Sequence, residues 1–80
     1  MKIPAIKKLV ETQEVQALMA AEEAIIEEQP LAIEVDGDDE GEQLTHILAA
    51  IWILNHMQET GDDFKTSLRE YTKKVRVSIS

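Results

Sequence analysis

Eight consecutive apolar residues, Ile47 to Leu54, constrain the fold of this 80-residue chain more than any other feature. They form the middle of a longer segment, residues 42–59, whose ends are polar. Crossing a bilayer takes about 18 or more apolar residues, so the run is too short for a membrane span. It predicts instead a buried central helix in a small soluble domain.

The central helix is apolar on two sides. With a turn of about 100° per residue, one broad face is followed by a second face almost opposite to it. A helix of this kind must be covered on both sides, either by the other helices of the chain or by a second copy. We expect a homodimer that uses the second face, whose two alanines permit close approach. The first face consists of Leu44, Ile47, Leu48, Ile51 and Leu54, and the predicted self-association residues are Ala49, Ala50, Ile53 and Met57.

The remaining segments also show helical spacing of apolar residues, which predicts a single all-α domain over residues 1–80. Pro30 stops the second helix, Gly61 ends the central one, and Asp62 or Asp63 caps the last. Thr12 can cap the second helix, but the spacing leaves open whether it separates two helices or bends one. The domain should contain three or four helices, over about 4–11, 13–28, 42–59 and 63–76.

The second predicted helix is amphipathic. Its apolar residues are expected to form one stripe toward the core, while most of its glutamates face water. The stripe consists of Val15, Leu18, Met19, Ile25 and Ile26, and the outward glutamates are Glu22, Glu23, Glu27 and Glu28.

Residues 31–35 alternate in a period of two, since Leu31, Ile33 and Val35 are separated by Ala32 and Glu34. This pattern predicts a short extended segment. A lone strand would leave its backbone groups unpaired, so the segment must pair with the C-terminal tail or with its copy in a dimer, or form an apolar loop that closes the core. We favour the loop.

Charge is strongly segregated along the sequence. The net charge is −8, and residues 11–63 contain fifteen acidic residues and no lysine or arginine. Such a field repels phosphate backbones, which disfavours nucleic-acid binding. The basic ends are expected to pack beside the acidic middle, within one chain or across a dimer. An alternative is that a basic C-terminal face binds an anionic partner.

Composition narrows the function further. The chain has no cysteine, which excludes disulfides, thiolate metal sites and thiol nucleophiles. Residues 1–11 lack the apolar stretch and cleavage site of a secretory signal, so a cytoplasmic location is expected. There is no nucleophile elbow and no glycine-rich phosphate loop. We therefore expect no enzymatic activity, no catalytic residues and no cofactor.

The acidic turn before the central helix resembles half of a calcium-binding loop. In the pattern D-x-[DN]-x-[DN]-G-x5-E, Asp36 and Asp38 fill the first two ligand positions, Glu40 replaces the third, and Gly41 is the turn glycine. The twelfth position is Ile47 instead of glutamate. The missing bidentate ligand disfavours calcium binding.

Two histidines on the central helix are the other metal candidates. His46 and His56 are ten residues apart, or about 15 Å along a helix, which is too far to share a metal within one chain. A two-fold dimer could bring one from each chain together. The expected role for both is therefore a surface or rim histidine.

Three segments together resemble a family of small acidic bacterial proteins of about this length whose function is unknown. The segments are MKIPAIKKLVE, EGEQLTHILAAIWIL and DFKTSLREYTKKVR. The resemblance covers nearly the whole chain and implies an intact natural protein. It supplies no catalytic or ligand-binding residues.

These observations predict a non-enzymatic interaction or accessory protein that acts as a homodimer. Its partner surface would be either the acidic helix from Glu22 to Glu28 or the basic face of Arg69 and Lys73. The alternative is a small-ligand or divalent-metal-binding protein that uses the turn at 36–42 or dimer-paired histidines. A third hypothesis is an acidic mimic of nucleic acid, which needs carboxylates at phosphate-like spacing on one face.

Overall fold

The structure, a computed structural model, describes the backbone of residues 2–79 and the side chains of residues 2–76. Within these residues there are four α-helices and no β-strand, which confirms the predicted all-α fold. Their boundaries lie within about three residues of the predicted ones. The helices are α1 (Ile3–Thr12), α2 (Val15–Ile26), α3 (Glu40–Thr60) and α4 (Phe64–Ile79).

The boundary between α1 and α2 is a two-residue extended link, Gln13 and Glu14. Glu14, and not Thr12, occupies the N-cap position of α2. The Thr12 hydroxyl donates to the Lys8 carbonyl at 2.6 Å, so it satisfies the end of α1 and is not available to cap the next helix. The expectation that Thr12 caps the second helix is therefore wrong, and two separate helices are present.

Helix α3 lies at the centre, and each of the other three helices packs against it. Three residues of its second face, Ala49, Ala50 and Ile53, are completely buried within the single chain, and Met57 is partly buried. The prediction that these four residues form a self-association surface is wrong, since three of them cannot be reached by a second copy. The alternative, that the chain itself covers the second face, is the correct one, although the helix is not wrapped completely.

The segment between α2 and α3 explains how so short a chain covers both faces. Val35 is buried at 6 % exposure, and Leu31 and Ile33 are partly buried against the same core. Gln43 on α3 holds this segment by donating from Nε2 to the Val35 carbonyl at 3.0 Å. Residues 31–35 are therefore an apolar loop that closes the core, as favoured from the sequence, and not a paired strand.

One residue of the first face departs from the prediction. Leu48 is 43 % exposed, although it was expected to be buried with Ile47. It lies on the same side of α3 as Thr45 and Asn55, three residues before it and seven after it, and both of these polar residues are exposed. Leu48 thus belongs to the solvent-facing stripe of the helix.

Helix α2 ends in a left-handed residue that is not glycine. Glu28 has φ of 57°, and its N–H donates to the Ile25 carbonyl while that of Gln29 donates to the Ala24 carbonyl. These two bonds form a Schellman motif, in which the left-handed position is usually glycine. The motif satisfies the last carbonyls of α2 and directs the chain into the loop toward α3.

Candidate interaction surfaces

The acidic turn is held by the N-terminal lysines of the same chain. Lys2 lies 3.7 Å from both Asp38 and Glu42, and Lys8 lies 3.8 Å from Asp36. The expected packing of basic ends beside the acidic middle is confirmed for the N-terminal end. The side chains of Lys2 and Lys8 are 57 % and 50 % exposed, so each pair contributes at most about 1 kcal/mol.

The turn does not form the front half of a calcium loop. Helix α3 begins at Glu40, so Glu40 and Gly41 are helical and neither occupies a loop position. Asp39 is the N-cap residue, and its Oδ1 accepts the Glu42 backbone N–H at 2.7 Å. The positive end of the helix dipole stabilises this carboxylate. Helix capping and ion pairs thus account for four of the acids here, namely Asp36, Asp38, Asp39 and Glu42.

His46 is a buried structural residue. Its ring is 0 % exposed, its Nε2 accepts the Lys2 backbone N–H at 2.9 Å, and its Nδ1 lies 2.8 Å from the Asp36 carbonyl oxygen. A carbonyl can only accept and an N–H can only donate, so Nδ1 carries the proton. Both ring nitrogens are occupied by backbone groups. The expectation of a surface histidine, or of a dimer-paired metal ligand, is therefore wrong for His46.

His56 belongs to an aromatic cluster that connects α3 to α4. Its ring stacks on Trp52 with the ring centroids 4.9 Å apart. The ring centroids of Trp52 and Tyr71 are 5.6 Å apart. The His56 Nε2 lies 3.2 Å from the Asp62 carboxylate. The described residues contain no group of three or more histidine, aspartate or glutamate side chains placed to hold a metal ion. The structure thus does not bring His56 together with Asp36, Asp38, Glu40 or His46.

Asp63, rather than Asp62, caps α4. Its Oδ1 accepts the Thr66 backbone N–H at 2.9 Å. This hydrogen bond, with that from the Thr66 side chain, lowers the pKa of the Asp63 carboxyl below its usual value. The cause is that both donors favour the ionised form.

The outer side of α2 carries the most exposed large apolar residues. Met19 is 56 % exposed and Ile26 is 66 % exposed, whereas Leu18, Ala21 and Ile25 face the core. The prediction that Met19 and Ile26 face the core is therefore wrong. We call this surface the α2 face; it forms an open groove of about 490 Å³ lined by Gln16, Met19, Ala20, Glu22, Glu23 and Ile26.

The outer side of α4 is a basic groove of about 540 Å³. Arg69, Lys73 and Arg76 are exposed, and none of them forms an ion pair with another described residue. This contrasts with Lys2 and Lys8, which are paired with the acidic turn. We call this surface the α4 face; its lining residues are Lys65, Leu68, Arg69, Thr72, Lys73 and Arg76.

Sequence reasoning predicted a partner surface at Glu22 to Glu28 but missed that Met19 and Ile26 belong to it, although a signal for their exposure is present. Leu18, Ala21 and Ile25 alone give a complete inward stripe at spacings of three and four. Met19 and Ile26 each follow a stripe residue by one position, which rotates them by about 100° away from it. In a helix rich in apolar residues, the residues beyond one stripe are candidates for a surface patch.

No helix among the described residues is both long and apolar enough to cross a membrane. The fold and surfaces together define a small all-α protein that presents two helix faces of opposite charge around a largely buried central helix. The chain belongs to a family of unknown function, DUF6952, whose model matches residues 1–80. This confirms the resemblance to a family of small proteins of unknown function. Comparison with curated proteins and with solved structures found no match.

Proposed function

We propose that the protein is a non-enzymatic interaction module that binds a partner protein through the α2 face. The observation that carries the proposal is the exposure of Met19 and Ile26, at 56 % and 66 %, on one side of a helix whose other side is in the core. Large apolar side chains grouped on a helix surface are typical of protein-binding sites.

The spacing of these two residues suits recognition of a helix face. Seven residues on a helix span about 10.5 Å and return to nearly the same direction. Anchors at i and i+7 are the pattern by which a helix occupies an apolar groove on its partner. Met19 adds an unbranched, flexible side chain that adapts to irregular apolar surfaces.

The charges around the anchors define the partner's chemistry. Glu22 and Glu23 line the same groove as Met19 and Ile26, and the carboxylates Glu27 and Glu28 follow at the end of the helix. A complementary surface has apolar contacts at its centre and lysine or arginine at its rim. The partner is therefore expected to be basic at this site.

The other hypotheses receive less support. The metal-binding hypothesis lacks a ligand group within the described residues, and His46 is fully used by backbone hydrogen bonds. The acidic-mimic hypothesis needs carboxylates at phosphate-like spacing on one face, but Asp36 and Asp38 of the turn are paired with Lys8 and Lys2. Self-association stays a prediction, and it requires a surface other than Ala49, Ala50 and Ile53.

Capture of partners from the native cell tests this proposal. The double variant Met19→Ala with Ile26→Ala removes both anchors without adding a charge or a helix-breaking residue. We expect it to weaken capture of a specific partner by about tenfold or more, since truncation of an interface anchor commonly costs more than 1 kcal/mol.

The matched control is Leu48→Ala, which removes an apolar side chain of similar exposure from the solvent stripe of α3. It should leave capture unchanged. If the double variant retains every partner of the unaltered protein at the same strength, the α2 face is not the binding site.

A further inference from the structure

We infer that the partner of the α2 face is the α4 face of a second copy of this chain, and that the contact occurs twice in a homodimer. The inference rests on the proposed function because it uses the same α2 face. The second face of α3 was predicted to form the dimer contact and is buried. The inference places the contact on surfaces that a second copy can reach.

Charge complementarity is the first argument. The α2 face and the end of its helix carry Glu22, Glu23, Glu27 and Glu28, and none of these forms an ion pair with another described residue. The α4 face carries Arg69, Lys73 and Arg76, which also form no ion pair with any described residue. Four unpaired anions, two on α2 and two directly after its end, thus match a row of unpaired cations on α4.

Shape is the second argument. The α4 groove contains Leu68 together with the aliphatic stems of its lysines and arginines, which cover apolar surface while their charged ends stay in water. This is the apolar centre with a basic rim that Met19 and Ile26 require. The exposed positions Lys65, Arg69 and Lys73 recur every four residues, which forms the ridge used in helix packing.

The topology explains why the two faces cannot satisfy each other within one chain. Both α2 and α4 pack their inner sides against α3, so their outer sides are directed away from the shared core. Contact between the α2 face and the α4 face therefore needs a second copy. In the inferred homodimer a two-fold axis relates the two chains, so that the contact is made twice and the assembly closes at two chains.

The exposure of the contact sets its expected dependence on salt. A standard interface covers about 800 Å² per partner, and area alone does not fix the affinity. We expect a dimer with a dissociation constant in the micromolar range, weakened by salt because its contacts are charged and exposed.

Sedimentation equilibrium of the purified chain tests the inference through charge reversal. At about 50 mM NaCl and concentrations up to about 1 mM, the mass should rise toward about 18 kDa, twice the 9.0 kDa of one chain. Glu22→Lys with Glu23→Lys gives two basic faces, and Arg69→Glu with Lys73→Glu gives two acidic faces. Each double variant alone should dissociate at least about tenfold more readily, as expected for reversed interface charges.

An equimolar mixture of the two double variants is the decisive sample. In the mixed pair both contacts again join opposite charges, so the dimer mass should return. The control, Glu11→Lys with Glu14→Lys, changes net charge as much as the α2 reversal does but lies on exposed positions outside both faces, and it should dimerise normally. Circular dichroism verifies that every variant is helical.

Two results would overturn the inference: an unaltered chain that stays monomeric at about 1 mM, or a mixture of the reversed variants that stays monomeric while the unaltered chain dimerises. The proposed function fails separately, if the Met19 and Ile26 variant captures the same partners as the unaltered protein. A monomeric chain whose partner capture depends on Met19 and Ile26 would retain the proposed function and discard the homodimer.

Discussion

Replacement of His46 by alanine should destabilise the fold more than any other single change to a polar residue in the described part of the chain. The imidazole ring is completely buried, and it joins three separate parts of the protein: the start of α1 at Lys2, the loop at Asp36, and α3 itself. Alanine would remove both hydrogen bonds and leave a cavity where the ring had been.

The magnitude follows from these contacts. Two hydrogen bonds contribute about 0.5–1.5 kcal/mol each, or about 1–3 kcal/mol together. The lost packing of a buried ring adds about 1–2 kcal/mol, by comparison with other large-to-small core substitutions. The sum is about 3 kcal/mol out of the roughly 4–12 kcal/mol available to a domain of this length. The expected fall in melting temperature is about 12–24 °C.

Urea unfolding, followed by circular dichroism and by fluorescence of the single tryptophan, measures this change. His46→Asn and His46→Gln are informative intermediates, since the Asn amide can donate to the Asp36 carbonyl and the Gln oxygen can accept from the Lys2 N–H. Each should recover part of the loss. His56→Ala is the control, because His56 is partly exposed and its contact with Asp62 and its stacking with Trp52 are together worth about 1 kcal/mol. If His46→Ala is within about 0.5 kcal/mol of the unaltered chain, His46 does not connect these elements as described.

Three further changes test other parts of the fold. Glu28→Gly should raise the free energy of unfolding, measured in urea, by about 1 kcal/mol, since it removes the strain of a left-handed residue that is not glycine. Glu27→Gly, at a right-handed position, is the control and should not raise it. Ser67→Ala should raise the melting temperature by a few degrees, which corresponds to about 1 kcal/mol. The reason is that the Ser67 hydroxyl is buried and has no hydrogen-bond partner among the described residues. Unchanged or lower stability would show that the hydroxyl is hydrogen-bonded. Asp63→Ala should destabilise at pH 7, and the difference from the unaltered chain should shrink as the pH falls from about 4 through the lowered pKa of Asp63, because its contribution depends on the ionised carboxylate. A difference as large at pH 2 as at pH 7 would contradict this assignment.

Most of the helical framework could be predicted because its signals are local. Gly61 adopts the left-handed conformation that ends α3, and Asp63 caps α4, as their residue types suggested. Glu40 and Gly41 were wrongly placed in a loop, since the helix begins immediately after the Asp39 cap. Boundaries of this kind depend on one hydrogen bond that neighbouring acids could equally have accepted.

The enclosure of α3 could not be predicted in the same way. Whether Ala49, Ala50 and Ile53 meet a second copy or the chain's own helices depends on how much cover the other segments supply. The loop at 31–35 supplies part of that cover through Val35, and an alternating pattern alone did not settle whether it was a strand or a loop. Leu48 shows the opposite error, because its polar neighbours Thr45 and Asn55 already indicated the solvent side.

Prediction of the candidate surfaces depends on tertiary contacts even more than prediction of the core does. The sequence shows that the charges are segregated, but it does not show which basic residues form ion pairs. In the structure Lys2 and Lys8 are paired with the acidic turn. Arg69 and Lys73 form no ion pair among the described residues. His46 was a metal candidate by residue type and proved to be a buried hydrogen-bonding residue. Its role required knowledge of which backbone groups approach the ring.

A dilution series of amide NMR spectra tests the central claim most directly, because it reports on each residue with a backbone N–H in solution. We predict that chemical shifts change with protein concentration at the α2 face, around Met19, Glu23 and Ile26, and at the α4 face, around Arg69 and Lys73, while Ala49 and Ala50 stay constant. Shifts that change at Ala49 and Ala50 but at neither face would contradict the account, as would spectra that do not depend on concentration up to about 1 mM.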